Sequence, residues 1–333
     1  MPTLSPKENY LRLLRGEVPE YVPSMMDGSS FGGPRFGPDL GGVFSDWGEN
    51  SEMLDMFGVP YVRDLNGPIP KPGAFILEDI TKWRDIIKRP AILDNIDWQY
   101  LADTQLPQWD PNTFLSGGAS VGNGYFQLLV SFMGFDNGLI ACFEEPEEVK
   151  DLLNFILDMN VELAKNFIYY FHPETGGGAD DIAHERAPFV SIEMFEDIFE
   201  PMWRQSIAPY VESGAYTSHH NCGMFETFVP YIVDMGYNAW NPAETMNDLV
   251  AIKQKFPKLA LCGGFNGNDY VCSPEATEEG IRAYVREVCD LYAPGGGYAF
   301  GGYMLAPPGD PVAAERMAWM YDEFEKIRYS YYD

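Results

Sequence analysis

The residues best able to do chemistry in this 333-residue chain lie in Ser218-His219-His220-Asn221-Cys222-Gly223. His220 and Cys222 are two positions apart. At the end of an extended segment both side chains can turn toward one point. Imidazole nitrogen and thiolate are borderline-soft donors that suit Zn2+. A catalytic zinc needs three protein ligands and an open position, so a third donor must come from elsewhere. Cys262, before Gly263-Gly264, is the best candidate, with Asp181 and Glu185 as oxygen alternatives. Asp180-Asp181 is a paired carboxylate. Such a pair can orient a ligand, perturb a neighbouring pKa, act as a general base, or simply cap a helix. His184 and Glu185 follow on the same loop.

These residues need a scaffold, and the pattern from about residue 110 onward supplies one. Apolar residues at Val149, Leu152, Leu153, Ile156, Leu157, Val161, Leu163 and Ala164 have helical spacing over 147–170. Pro146 with Glu147 and Glu148 suits the start of that helix. Short apolar runs at 114–118, 178–183, 216–220, 237–241, 259–262 and 298–302 predict strands. Helical patterns at 192–213, 224–235, 245–255, 273–292 and 311–328 separate or follow them. Nearer the N-terminus, 22–26 reads as a strand and 50–57 as a helix. Strands alternating with helices make a parallel sheet, and seven or eight of them suggest a closed (β/α)8 TIM barrel. No G-x-G-x-x-G or G-x-x-x-x-G-K-[ST] fingerprint directs the reading toward a nucleotide fold. The expectation is one barrel domain over residues 1–333 with an N-terminal helical extension. Its active site should lie at the carboxyl ends of the strands.

Polar residues do collect at those predicted ends: Asp180 to Glu185, His219 to Cys222, Asn241 with Glu244, and Gly301-Gly302-Tyr303. Met25, Met26, Phe31, Trp240, Phe265, Phe300, Tyr303 and Met304 are candidates for an apolar pocket wall. Within this set Met26, His219, Asn241 and Tyr303 are assigned to the substrate pocket.

Composition limits the partners. The chain has 22 Lys plus Arg against 50 Asp plus Glu, a formal charge of −28. That excludes a nucleic-acid binder, which needs cations to displace phosphate counterions, and disfavours docking on an anionic membrane. No run approaches the roughly 20 apolar residues of a membrane span, and the N-terminus lacks the apolar core of a secretory signal, so a cytoplasmic protein is expected. Five scattered cysteines do not form a disulfide framework. Cys142, Cys272 and Cys289 are read as packing. Nothing in the sequence argues against a homodimer.

Several stretches, in order, carry a family resemblance. They are Thr3 to Glu17 with Val22-Pro23; Asp180-Asp181-Ile182 with Ala187 to Ser191; His220-Asn221-Cys222-Gly223; Leu261-Cys262-Gly263-Gly264; and Gly296-Gly297-Tyr298 with Ala306-Pro307. Together they resemble the uroporphyrinogen decarboxylase superfamily, which implies a TIM barrel. True decarboxylases bind a polycarboxylate tetrapyrrole and carry an Arg-Gln-Ala-Gly-Arg-Tyr stretch. Here Met25 to Gly33 is acidic and apolar and holds no Arg, the next being Arg35. The chain is more similar to the cobalamin-linked methyltransferase branch, whose zinc site is His-x-Cys plus a later Cys. His220 and Cys222 match it; the last-strand Cys is replaced by Gly302-Tyr303-Met304. This resemblance implies a member that takes methyl from a methoxylated aromatic or similar small donor and passes it to a corrinoid (cobalamin) carried by a partner protein. Zinc would be the Lewis acid, His220, Cys222 and Cys262 its ligands, and Asp181, His184 or Glu185 the catalytic acid or base. The alternatives are a porphyrinogen-type decarboxylase, and a barrel that binds a small ligand without turnover.

Overall fold

The computed structural model describes residues 3–27, 37, 52–64, 67–108, 110–113, 115, 124–307 and 309–332. Its centre is a parallel sheet of five strands: β4 (Thr175–Ala179), β5 (Tyr216–His220), β6 (Ala239–Ala243), β7 (Ala260–Gly264) and β8 (Tyr298–Gly301), hydrogen-bonded in that order. A sixth position follows β8. Ser24 forms a parallel bridge with Phe300, closed by Met25 N–H to the Phe300 carbonyl and Phe300 N–H to the Pro23 carbonyl, both 2.8 Å. The chain entering from residue 22 thus lies beside the last strand, as the seam of a (β/α)8 barrel requires. Residues 53–70 form a separate antiparallel sheet of β1 (Met53–Leu54), β2 (Pro60–Asp64) and β3 (Gly67–Pro70). The helix expected over 50–57 is therefore absent from its described part. Asp55 turns that segment instead, accepting from the N–H groups of Phe57 and Val59 at 2.9 Å.

Helices cover the outer face of the sheet. The longest among the described residues, Pro146–Phe171, buries Val149, Leu152, Leu153, Ile156 and Leu157 of the stripe its spacing predicted, and Phe167 besides. The helix expected at 192–213 is present, with a π-helical turn at Phe195–Phe199 before Glu200–Ser213. Thr277 caps Glu278–Tyr292 and Asp310 caps Pro311–Ile327, each side chain accepting from the first-turn N–H groups. The ends of the described chain are pinned together. Arg328, buried against Tyr21 and Phe324, donates Nε–H to the Val22 carbonyl at 3.0 Å and pairs with Asp27. Among the described residues no single helix is long and apolar enough to cross a membrane; one helix pair, Tyr125–Met133 and Phe135–Glu144, is apolar enough only jointly and is bent by 110°.

Strand alternation sorts the side chains into two layers. Tyr216, Ser218 and His220 share one face with Asn241, Cys262 and Ala299; Thr217, His219, Trp240, Leu261 and Phe300 share the other, against the helices. At the amino end of the barrel, Leu11, Leu13 and Leu14 of the helix Pro6–Leu14 pack with Ala239, Ala260, Cys262 and Ala299. The floor is thereby closed, and the carboxyl ends of the strands remain for a site.

Strand β4 lies at 175–179, not at the expected 178–183. Its sequence, Thr-Gly-Gly-Gly-Ala, carries no strand signal, because glycine is depleted in strands. The reason is spatial. A Cβ on Gly176 would meet the Tyr210 ring at 2.4 Å, and one on Gly178 would meet the Tyr237 hydroxyl at 2.3 Å. Large rings of the outer layer occupy the space that β4 side chains would fill. The strand expected at 114–118 lies outside the described residues except for Leu115, which is buried. Phe31 also lies outside them.

Candidate active site

Two adjacent aspartates leave the end of β4 with different roles. Asp180 is 1% exposed. Its carboxylate accepts from Phe126 N–H at 3.0 Å, Gln127 N–H at 3.2 Å and Trp203 Nε1–H at 2.9 Å. The first two belong to the opening turn of the helix Tyr125–Met133, so Asp180 caps it from across the chain. Gly124 makes the approach feasible, since a Cβ there would lie 2.2 Å from the Ala179 carbonyl oxygen. Burial outweighs the three donors and raises the Asp180 pKa to about 6. This carboxylate is structural.

Asp181 faces the barrel mouth. Its Oδ2 accepts from Gln127 Nε2 at 3.0 Å and its Oδ1 from Cys222 N–H at 2.8 Å. His220 Nε2 lies 3.9 Å from Asp181 Oδ1 and 3.7 Å from Cys222 Sγ. One donor atom from each of Asp181, His220 and Cys222 falls within 4.8 Å of the others, a set that could hold a metal ion. The imidazole is oriented for it. Asn241 Nδ2 donates to Ser218 Oγ at 2.7 Å, which turns its Oδ1 toward His220 Nδ1 at 2.9 Å. Nδ1 therefore carries the proton, and the Nε2 lone pair faces Asp181 and Cys222.

The surroundings of this trio are acidic. Glu244, half-buried, accepts from Gly223 N–H, and burial raises its pKa. The Cys222 thiol is pushed well above its ordinary range, first by burial and then by the carboxylates of Asp181 and Glu244. The Tyr303 hydroxyl meets this thiol; its own pKa is raised by burial, then by Cys222 and Glu244. A cation at the trio would relieve this crowding of negative charge and stabilise the thiolate. Beside it opens a cleft lined by Met25, Glu244, Thr245, Met246, Phe265, Asn266 and Tyr303, among others.

The sequence-expected residues divide accordingly. His220, Cys222 and Asp181 come together. Cys262 does not join them: it is 1% exposed, its Sγ lies 3.5 Å from the Tyr10 hydroxyl, and its neighbours are the aliphatic side chains of the barrel floor. Two strand residues before the mouth place it a layer too deep. His184 stacks on Phe189 and its Nδ1 accepts from Arg186 N–H, while Glu185 pairs with Arg186; all three residues of this loop are exposed, and neither His184 nor Glu185 contributes to the trio. His219 is not a pocket residue. It points to the outer layer between Trp203, Phe225 and Tyr237, with neither ring nitrogen hydrogen-bonded among the described residues, and burial lowers its pKa to about 3. Met26 is 47% exposed, and its neighbour Met25 takes the place on the cleft wall. Asn241 serves His220. Trp240 and Phe300 are fully buried in the core. Cys142 and Cys289 are buried, and Cys272 donates Sγ–H to the Gly267 carbonyl at 2.9 Å. Sequence reasoning missed Gln127, whose helix carried no recognised signal.

The family model of uroporphyrinogen decarboxylase (URO-D) matches residues 34–320. The chain belongs to the uroporphyrinogen decarboxylase family. The TIM barrel is the fold of that family. No curated protein matches the sequence. Among solved structures, a methyltransferase from Methanosarcina mazei is similar over 97% of this chain and 99% of its own, with a TM-score of 0.63 and 12% identity. At that identity the likeness is one of fold.

Proposed function

We propose that this member of the uroporphyrinogen decarboxylase family is a zinc-dependent methyltransferase, moving a methyl group between a small methylated donor and the cobalt of a partner corrinoid protein. The observation that carries the reading is the convergence of Asp181, His220 and Cys222 at the mouth of the barrel. Donors 2.0–2.3 Å from one tetrahedral ion stand roughly 3.6 Å apart. The sulfur–nitrogen and nitrogen–oxygen separations of 3.7 and 3.9 Å suit that arrangement. Nitrogen, sulfur and oxygen donors with a second-sphere Asn are a set that zinc accepts. A decarboxylase acting on a polycarboxylate would meet carboxylates here instead of cations.

Zinc, when bound, would supply Lewis acidity at the heteroatom that gives up its methyl group. The chain's own residues do the rest. Gln127 and the Cys222 N–H hold Asp181 in place, and Asn241 fixes His220. With a methoxylated aromatic as donor, the methyl–oxygen bond breaks, the methyl carbon bonds to the electron pair of Co(I), and the departing oxygen takes a proton. Tyr303, a phenol whose pKa burial raises, is the group at the cleft that can hand it that proton. The Methanosarcina mazei neighbour is itself a methyltransferase, which supports the reaction class.

Protein purified without chelator should contain about one zinc per chain, and Cys222→Ala should lose it with an unchanged circular dichroism spectrum. Methyl transfer from methoxyaromatics to cob(I)alamin should appear as formation of methylcobalamin. Metal-free protein that decarboxylates a porphyrinogen, with steady turnover and no corrinoid, would refute the reading.

A further inference from the structure

We infer that the cleft selects an uncharged methyl donor and rejects anionic ones of the same size. This deepens the proposed function and rests on it. The cleft beside the metal-ligand trio is walled by Met25, Met246, Phe265 and Tyr303, with Glu244, Thr245, Asn266 and Asn268 as its polar side chains. Among the described residues none that lines it is Lys, Arg or His. Nearby cations are committed elsewhere. Arg328 pairs with Asp27 and Glu325. Arg316 donates to the carbonyls of Val271 and Ser273. Arg186 is on the exposed loop with Glu185. In sequence, the segments outside the described residues add one cation, Arg35, against Asp39, Asp46, Glu49 and Asp333.

A divalent ion does not change this balance. The charge of +2 would be cancelled by the Asp181 carboxylate and a Cys222 thiolate, since His220 coordinates as the neutral imidazole. The loaded site offers an anion no net positive charge, and Glu244 adds repulsion. A carboxylate brought into this cleft would lose its hydration without gaining an ion pair. An uncharged methoxyaromatic gives up little hydration and lies against rings and thioethers. At an effective dielectric constant near 20, one like charge at about 6 Å corresponds to on the order of 100-fold in affinity.

Calorimetric titration of the zinc-loaded protein with 2-methoxyphenol and with 4-methoxybenzoate tests the inference. The neutral compound should bind, and the anion should bind at least about 30-fold more weakly. Thr245→Lys, which places a cation on the cleft wall, should narrow that gap to about threefold, and Glu244→Gln should narrow it by removing repulsion. Equal or tighter binding of the benzoate overturns the inference, as does no binding of either compound. Methyl transfer to cob(I)alamin is scored separately. Charge-selective binding without transfer refutes the methyltransferase reading and leaves the selection standing; transfer from the benzoate at the rate of the phenol refutes the selection alone.

Discussion

Replacing Trp203 with Phe should cost far more than the loss of a ring fused to a benzene suggests. The indole N–H is one of three donors to Asp180, at 2.9 Å, in a site from which water is excluded. A hydrogen bond to a buried charge contributes roughly 1.5–3 kcal/mol. Shrinking the ring beside His219 and Phe195, with centroids 4.4 and 4.9 Å away, adds a cavity cost of about 1–2 kcal/mol. The expected destabilisation is therefore about 2.5–5 kcal/mol for Trp203→Phe. Only the first part should depend on Asp180. A double-mutant cycle with Asp180→Ala, followed by urea unfolding at pH 8 where the carboxylate is ionised, should give a coupling of about 2 kcal/mol. Near pH 5, below the Asp180 pKa of about 6, the acceptor is neutral and the coupling should fall to about half. Effects additive within about 0.5 kcal/mol at pH 8 would refute the assignment of Asp180 as a charged anchor joining β4, the helix Tyr125–Met133 and Trp203.

Global stability should itself fall as pH rises from about 4 to 6: the folded state holds the Asp180 proton more tightly than the unfolded chain, so 2.2 pH units between 3.8 and about 6 correspond to at most about 3 kcal/mol, and urea midpoints across that window should flatten in Asp180→Asn. Asn241→Leu should keep the fold but weaken zinc binding about 10- to 100-fold in a chelator competition, because His220 loses the acceptor that fixes its tautomer. Cys262→Ala should retain its zinc, while thermal unfolding shows a loss of about 1–2 kcal/mol from the barrel floor.

How much of this was legible in the sequence depended on the range of the signal. The His220-x-Cys222 spacing and the alternating strands and helices from 147 onward are local patterns, and the structure has them within a few residues. Strand β4 was displaced because its glycines speak of loops until Tyr210 and Tyr237 are seen beside them. Cys262 reads as a ligand because it ends a predicted strand before Gly263-Gly264; its depth in the barrel is set by register with β8 and by Tyr10, 252 residues away in sequence. Gln127 touches Asp181 across 54 residues, and no motif announces that contact. Asp180 and Asp181 are chemically alike in sequence, and only the helix that Asp180 caps tells them apart.

The alternation along Tyr216–His220 makes the site a matter of parity. His219 and His220 are the same residue type on opposite faces, one dry among aromatic rings and one beside Cys222. A shift of one residue in the pairing of β5 would turn His219 inward opposite Asn241, bury His220 in the outer layer and carry Cys222 out of step with its histidine. Surface loops between these elements can lengthen freely over evolutionary time. Within residues 216–222 a single residue gained or lost breaks the site unless a bulge absorbs it.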